Sequence, residues 1–319
     1  MNVNTATVTS EPVNGQAVLT VTEQEIASQP ATWLRSLEHR EAARLLLGAA
    51  GERVLAIGCG TSAFVAMSYA VLRERAGFGE TDAAFGSEIP LGRKYDRVVA
   101  ITRSGTTTEI IDALNNLPNG STKVAITGVA GEPVDALVDE RLLLDFADEA
   151  SVVQTRFPTT LLTLMRAALG EDVSGSIRDC NDALTTPLAV NPADYEHFVF
   201  LGTGWTIGLA HEAALKVREA AQAWSESYPA MDYRHGPIAV ATKRSLVTIF
   251  GPAPVGLVAA VEATGATVIT DDTDPLAQLV VAQRLAVELA KSRGLNPDHP
   301  RALTRSVILS NASQNGTSE

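Results

Sequence analysis

The strongest constraint on the fold of this chain is a pattern that occurs twice. The stretch RVLAIGCGTSAFVAMSYAVLRERAG joins a short β-branched run to a glycine turn and then to a helical apolar pattern. The later stretch EHFVFLGTGWTIGLAHEAALKVREAAQ repeats this order, with Gly202 and Gly204 in the places of Gly58 and Gly60. Strand, turn and helix in this order form the unit of a parallel sheet. The repeat therefore predicts two similar α/β lobes.

Further segments extend the pattern in each half. In the first half, DAAFGS, RVVAITRSG and KVAITG are typical of strands, and IIDALNNL and FPTTLLTLMRAAL are typical of helices. In the second half, SLVTIFGP and ATVITDD take the places of RVVAITRSG and KVAITG. The predicted fold class is α/β, with two tandem lobes. Each is an open parallel sheet flanked by helices, as in a flavodoxin-like three-layer sandwich.

Composition sets the predicted boundaries. The chain has 319 residues, of which 45% are hydrophobic, and this is enough for two cores. The polar segments 1–21 and 310–319 lack apolar periodicity and are predicted to be tails. The first lobe with its leading helices is placed at 22–185 and the second at 186–309, on either side of the linker-like run TTPLAVNPADYE.

Charge and cysteine content exclude several classes of protein. Only Cys59 and Cys180 are present, so no disulfide framework is predicted and a reducing compartment is favoured. The first twenty residues do not resemble a signal peptide, and no later run is long enough to span a bilayer. We therefore expect a cytoplasmic protein without a membrane partner. The net charge of -12 argues against a nucleic-acid partner, because such binding depends on basic surface.

Two turns of the first half are rich in hydroxyl groups. They read Cys59-Gly60-Thr61-Ser62 and Thr102-Arg103-Ser104-Gly105-Thr106-Thr107, whereas their counterparts read Thr203-Gly204-Trp205-Thr206 and Phe250-Gly251-Pro252-Ala253. Short hydroxyls at a strand-to-helix turn bind phosphate oxygens together with the helix N-terminus, and the Arg103 guanidinium can bind phosphate through two N–H groups. The first lobe is thus predicted to hold an anion, and the second to have largely lost this ability. The alternative is that these hydroxyls only cap helices.

A dinucleotide site is a competing interpretation of the first turn. Gly58, Gly60 and Ala63 match G-x-G-x-x-A, but the acidic residue expected at the end of the next strand would have to be Asp82, which stands at the start of the strand DAAFGS. No cofactor is therefore predicted. No metal is predicted either, because the histidines lack ligand spacing and His211-Glu212 lacks the second histidine of a zinc helix.

The second half carries the candidates for catalysis. Glu212, Lys216 and Glu219 lie four and three residues apart, which puts them on one helix face. An exposed ladder of ion pairs is the alternative interpretation of this spacing. His235 stands before Gly236-Pro237 in a predicted loop, where it could act as an acid or a base. Its alternative is an ordinary surface histidine.

Five motifs in order resemble the sugar isomerase (SIS) domain family. They are GCGTS, SGTTTE, EAALKVREAAQAWSESYP, YRHGP and PRALTRSV, and the resemblance runs from about Thr22 to Val307 and includes Gln29-Pro30. The likeness is greatest to the isomerase half of glucosamine-6-phosphate synthase and to related phosphosugar deaminases and deglycases. This resemblance implies a tandem pair of SIS lobes.

The resemblance also implies roles for particular residues. It places the substrate phosphate on Thr61, Ser62, Thr102, Arg103, Ser104 and Thr107, and other substrate contacts on Gly60, Val152, Lys216 and Arg305. It makes Glu219 the acid/base that moves a proton between C1 and C2 through an enediol or enolamine. It makes His235 the ring-opening group, which reaches across a dimer interface, so a homodimer with shared active sites is implied.

Three departures from the family pattern narrow the expected reaction. A glutaminase domain is not expected here, Arg103 replaces a glutamine, and Arg305 replaces the lysine that forms an imine with the open-chain ketose. A guanidinium stays protonated and is a poor nucleophile. The sequence therefore favours a substrate that already carries nitrogen, as in amino-sugar-phosphate deamination or deglycation. Plain aldose–ketose isomerisation, a non-catalytic phosphosugar-binding regulator and a scaffold without a ligand remain as alternatives.

Overall fold

The fold is described by a computed structural model that covers residues 19–309. The predicted tail at 310–319 and all but the last three residues of the tail at 1–21 lie outside the described residues. The proposed lobe boundaries at 22–185 and 186–309 fall within them.

The first lobe is built on a five-stranded parallel sheet with the order β2-β1-β3-β4-β5. Its strands are β1 (Val54–Gly58), β2 (Thr81–Phe85), β3 (Arg97–Ile101), β4 (Thr122–Thr127) and β5 (Glu140–Leu143). Each pair of neighbours is parallel. The chain starts in the middle of this sheet and winds first to one edge and then to the other. The order reverses between β1 and β3, and open α/β sheets bind ligands at such a point.

The second lobe repeats this topology with four parallel strands in the order β7-β6-β8-β9. They are β6 (His197–Gly202), β7 (Trp224–Pro229), β8 (Ser245–Ile249) and β9 (Thr267–Ile269). The predicted α/β class and the parallel sheet in each lobe are confirmed. β5 and β7 were not predicted from the sequence.

Ten α-helices accompany the sheets within residues 19–309. They are α1 (Val21–Ala27), α2 (Gln29–Ser36), α3 (Arg40–Leu46), α4 (Thr61–Arg75), α5 (Thr108–Asn116), α6 (Arg156–Ala168), α7 (Ser174–Thr185), α8 (Thr206–Ala221), α9 (Leu257–Glu262) and α10 (Pro275–Ser292). None of these helices is long and apolar enough to cross a bilayer.

The repeated glycine turn has the same geometry in both lobes. Gly60 and Gly204 have φ values of +52° and +61°, a region in which residues with a Cβ atom are strained. A Cβ on Gly58 would lie 2.4 Å from the backbone of Ser62, and one on Gly202 would lie 2.3 Å from the backbone of Thr206. Both turns therefore require glycine for the same two reasons.

The lobes share one hydrophobic core. Strand residues such as Val54 and Val99 belong to the same buried cluster as Phe198, Phe200 and many residues of α10. The outer faces of the two sheets form smaller, separate clusters. Instead of two independent cores, the chain thus has a central core that both lobes build.

Helices α4 and α8 cross at this junction. The crossing is close because Gly208 has no side chain: a Cβ there would lie 2.2 Å from Ser68 Oγ and 2.4 Å from the carbonyl oxygen of Phe64. Ser68 Oγ donates to the carbonyl of Trp205 at 2.8 Å. This contact packs the N-terminal turn of α8 against the middle of α4, and Lys216, farther along α8, lies beside Thr61 at the start of α4.

Candidate functional site

The two hydroxyl-rich turns meet at the carboxyl edge of the first sheet. β1 and β3 are hydrogen-bonded neighbours, so the turns after Gly58 and Ile101 lie side by side at the point where the strand order reverses. Neither α4 nor α5 has a side-chain hydrogen bond at its N-cap. These hydroxyls therefore do not act as N-caps, although Thr102 Oγ1 accepts from the N–H of Gly105 at 3.2 Å within the turn.

A cleft runs from these turns towards α8. Its inner part is lined by Ser62, Thr102, Arg103, Ser104 and other residues, and its outer part by Gly60, Thr61, Val152, Glu219 and residues 303–307. Both parts share Cys59, Thr107, Gln154 and Arg305. The six residues expected to bind phosphate thus line the same cleft as the expected acid/base, Glu219.

Arg103 is placed differently from the expectation that its guanidinium points at phosphate. The side chain is only 2% exposed, and its two terminal N–H groups donate to the carbonyls of Ser151 and Arg305, both at 2.9 Å. Nε is buried and has no hydrogen-bond partner among the described residues. Burial lowers the pKa of the guanidinium, and nearby Glu149 opposes this effect. Arg103 consequently ties the walls of the cleft together.

Residues 303–309, which we call the C-terminal strap, lie across the first lobe. The Arg305 guanidinium contacts both carboxylate oxygens of Asp148, the longer contact being 2.6 Å. Ser306 Oγ lies 3.1 Å from Ser104 Oγ and accepts from Thr106 Oγ1 at 2.8 Å. Thr108 is the first residue of α5, and its backbone N–H donates to the carbonyl of Val307 at 3.1 Å. The strap therefore covers the second hydroxyl-rich turn.

The charged face of α8 is buried, contrary to the interpretation as an exposed ladder. Glu212 and Lys216 are 2% and 1% exposed, and only Glu219 reaches the cleft. Lys216 Nζ lies 2.6 Å from Glu219, 3.3 Å from Glu212 and 3.2 Å from Thr61 Oγ1, to which it donates. This contact joins the helix of the second lobe to the first turn of the first lobe.

The pKa values of these groups follow from burial and pairing. Burial raises the pKa of Glu212 to about 7, although the nearby Lys216 ammonium lowers it. Burial alone would lower the pKa of Lys216. The negative charges of Glu212 and Glu219 raise it by more, so the pKa of Lys216 is raised overall. Lys216 is therefore an ammonium group at neutral pH that holds Glu219 in place and is not a free amine.

His235 does not line this cleft. It lies in an exposed 3-10 turn at residues 232–235 of the second lobe. Its neighbour Arg234 donates to the carbonyl of Val255 at 2.8 Å and contacts Met231 Sδ at 3.5 Å, and both Met231 and Val255 are exposed. A single chain therefore does not bring His235 together with Glu219.

The corresponding turn of the second lobe is closed by its own side chains. Thr206 Oγ1 accepts from the backbone N–H of Thr203 at 2.8 Å and lies 3.1 Å from the carbonyl of Phe250. Gln278 Oε1 accepts from the N–H of Gly251 at 3.0 Å. The side chains of Thr206 and Gln278 are therefore engaged within the second lobe, and the loss of an anion site there stays a prediction.

Apart from Val152, sequence reasoning missed the functional residues of the loop at residues 148–154. Glu149 is fully buried and accepts from Thr155 Oγ1 at 2.8 Å and from the N–H of Arg156 at 2.7 Å, so it orders the start of α6. Asp148 binds the strap and Gln154 lines the cleft. The available signal was a run of polar residues directly before the apolar helix FPTTLLTLMRAAL.

Other ligand classes have less support in the geometry. Asp82 lies in β2 opposite Leu55, away from the carboxyl edge, and accepts from Arg93 at 2.9 Å and from Tyr95 at 2.6 Å. It is therefore not placed to bind a ribose. In residues 19–309, no group of three histidine, cysteine, aspartate or glutamate residues is arranged to hold a metal ion.

Comparisons with known proteins were made by sequence and by structure. No family model matches the chain. Among curated proteins, the glutamine–fructose-6-phosphate aminotransferase (isomerizing) of Pyrococcus horikoshii is 27% identical over 343 residues, which cover 90% of this chain and 56% of that protein. The enzyme of the same name from Sulfurisphaera tokodaii is 25% identical and matches over 50% of its length. The chain thus spans about half the length of the curated relatives it matches.

Solved structures agree with this relationship. The glucosamine-6-phosphate deaminase of Thermotoga maritima has a TM-score of 0.79 and 28% identity, covering 91% of this chain and all of the other. The tagatose-6-phosphate ketose/aldose isomerase of Escherichia coli, at 21% identity, shares the fold with a TM-score of 0.74 and covers 92% of this chain and 98% of its own. The motifs, the two parallel sheets and these relatives agree: the chain is similar to the isomerase (SIS) domain of these aminotransferases and to SIS-type phosphosugar isomerases and deaminases.

Proposed function

We propose that this protein is a phosphosugar isomerase/deaminase that acts on an amino- or amine-linked sugar phosphate. Glu219 removes the proton from C2 of the open-chain sugar and returns it to C1. The resulting ketimine then reacts with water to give a ketose phosphate and ammonia, or a free amine in a deglycation. His235 opens the sugar ring, and we place the activity in the cytoplasm.

One observation carries this proposal: the hydroxyl-rich turns of the first lobe and Glu219 of the second lobe line one cleft. A phosphate held by Ser62, Thr102 and Ser104 leaves the far end of a sugar chain directed towards α8. A carboxylate within hydrogen-bond reach of a substrate carbon acid can act as its base.

The basic groups in and beside the cleft support a substrate that brings its own nitrogen. Arg305 is a guanidinium that pairs with Asp148, and Lys216 is an ammonium between two carboxylates. Neither offers the free amine that is required to form an imine with a ketose. An amino sugar needs no such group, since its C2 nitrogen is already in place.

We further propose that the active form is a homodimer in which His235 enters the cleft of the partner. The exposure of His235, together with that of Met231 and Val255, which contact its neighbour Arg234, supports this arrangement. The far end of the Glu219 cleft would then be completed by the second copy.

The proposal is tested with a panel of sugar phosphates and amino-sugar phosphates. Thermal shifts are measured for the wild type and for Ser104→Ala, and ammonia release is measured for the wild type and for Glu219→Gln. We expect stabilisation that Ser104→Ala weakens and ammonia release that Glu219→Gln abolishes. Binding without turnover would indicate a regulator that senses phosphosugars. No shift with any phosphate would contradict the phosphate site.

A further inference from the structure

Gln154 occupies the junction between the two parts of the cleft. It belongs to the small set of residues that line both the inner part, with its hydroxyl groups, and the outer part, with Glu219. A molecule with phosphate in the inner part and its reacting carbons at Glu219 must pass this junction. The carbons that pass it are those between the phosphate and C2, and in a sugar they carry hydroxyl groups.

Of the other side chains at the junction, Thr107 is assigned to the phosphate, and Arg305 and Cys59 have little hydrogen-bonding capacity to offer. The Arg305 guanidinium is engaged by Asp148 and by the carbonyl of Glu149. Burial raises the pKa of the Cys59 thiol to about 11, so it stays neutral and is a weak donor. By contrast, Gln154 Oε1 is buried and has no hydrogen-bond partner in residues 19–309. Buried side-chain oxygens are normally paired, so an orphan oxygen in a cleft wall points to a ligand.

The backbone on both sides of Gln154 is held firmly. The carbonyl of Ser151 accepts from Arg103 at 2.9 Å, and the carbonyl of Val153 accepts from Ser151 Oγ at 2.8 Å. On the other side, Thr155 Oγ1 donates to the buried Glu149 at 2.8 Å. Only the side-chain torsions of Gln154 are left to adjust, and this is the condition for a preorganised contact.

We propose that Gln154 is a specificity-determining residue that accepts a hydrogen bond from a hydroxyl group of the substrate between its phosphate and C2. The inference rests on the proposed function, because it assumes that a sugar phosphate spans the cleft. It goes further by assigning the recognition of the middle of the sugar chain to one side chain. An amide oxygen accepts and does not donate, so sugars that lack this hydroxyl lose the contact.

The test compares two proteins, the Glu219→Gln variant and the double variant that also carries Gln154→Leu. We expect no turnover in either, so that binding can be measured alone. Calorimetric titration measures the dissociation constants of glucosamine 6-phosphate, of fructose 6-phosphate and of their 3-deoxy and 4-deoxy analogues. We expect Gln154→Leu to weaken binding of the parent sugars about tenfold and to leave the binding of one deoxy analogue unchanged. Inorganic phosphate should bind equally to both proteins. Gln24→Leu, at an exposed position of α1, is the matched control.

The outcomes separate this inference from the proposed function. If the dissociation constants of the parent sugars and of every analogue are the same with and without Gln154→Leu, Gln154 has no role in specificity, while the phosphosugar site stands. If Gln154→Leu weakens the binding of inorganic phosphate and all sugars equally, its effect is structural and the inference is wrong. If neither parent sugar binds to the Glu219→Gln protein, the proposed function fails and the role of Gln154 fails with it.

Discussion

At the scale of single residues, the face formed by Glu212, Lys216 and Glu219 shows what a sequence pattern can and cannot predict. The spacing placed the three side chains on one face of a helix, and they are there. It could not show that Glu212 and Lys216 are buried, because the burial comes from packing of α8 against α4 in the other lobe. Similarly, Arg103 was expected to bind phosphate, but its partners Ser151 and Arg305 come from distant segments.

The buried carboxyl of Glu212 predicts a pH dependence of stability. Its pKa is raised from 4.5 to about 7, so between these values the folded protein holds a proton that the unfolded chain has released. The free energy of unfolding therefore falls as pH rises through this window, by up to about 3 kcal/mol from this group. We expect Glu212→Gln to lose this part of the dependence.

Urea denaturation of both proteins at pH 5, 6, 7 and 8 measures this difference. Buried Glu149, whose pKa burial also raises, contributes a slope that both proteins share. Glu262→Gln, on the exposed side of α9, controls for the loss of a surface charge. Equal slopes for the wild type and Glu212→Gln would show that Glu212 is ionised in the folded protein throughout this range.

At the scale of elements, the repeated strand, turn and helix could be predicted with confidence because each turn carries its own glycines. Gly58 and Gly202 are needed for close approach of strand and helix, and this requirement is local. The strap could not be predicted in the same way. Its contacts with Ser104, Thr106 and Thr108 join segments about two hundred residues apart, and no periodicity marks them.

The equivalence of the two turns predicts that they are equally sensitive to a methyl group. Gly58→Ala and Gly202→Ala would each place Cβ within 2.4 Å of backbone atoms, so we expect each to lower the free energy of unfolding by at least about 1–3 kcal/mol. Gly175→Ala is the control, since it lies in α7 with only the flexible Arg178 side chain nearby, at 3.6 Å.

Thermal or urea denaturation of the three variants measures these effects. Gly175→Ala should be neutral or slightly stabilising, because alanine is the better helix former. If Gly58→Ala lowered the free energy of unfolding and Gly202→Ala did not, the structural equivalence of the two turns would be contradicted.

At the scale of the whole molecule, two α/β lobes were predicted and two parallel sheets are found. The sequence did not show that both lobes build one core, since this depends on α2, α6 and α10, which lie between the sheets. Buried Gln29 donates to Gln283 at 2.8 Å and accepts from Thr159 at 2.6 Å, joining these three helices by side-chain hydrogen bonds. Such contacts between distant segments follow only from the assembled fold.

The proposed sharing of active sites predicts complementation between inactive subunits. Glu219→Gln and His235→Ala should each abolish turnover in homodimers. After the two proteins are unfolded together and refolded, heterodimers should contain one site with both groups intact. We expect this mixture to recover about a quarter of the wild-type ammonia release, since half of the dimers are mixed and each has one intact site of two.

Mixing two preparations of the same variant provides the control and should restore nothing. Turnover by His235→Ala alone would contradict a catalytic role of His235. If each variant is inactive and the mixture also remains inactive although heterodimers form, Glu219 and His235 do not act across the interface.

The central claim is that Glu219 transfers a proton between C1 and C2 of a sugar whose phosphate is held by the first lobe. Incubation of glucosamine 6-phosphate in D2O, followed by NMR of the sugar carbons, tests it most directly. The account predicts turnover with the wild type, and deuterium at C1 of the ketose product or at C2 of recovered substrate in those molecules for which the Glu219 carboxyl exchanges its proton with solvent before returning it. It predicts neither turnover nor deuterium with Glu219→Gln at sugar concentrations that saturate binding. Turnover or deuterium incorporation that persists in Glu219→Gln would contradict this role of Glu219.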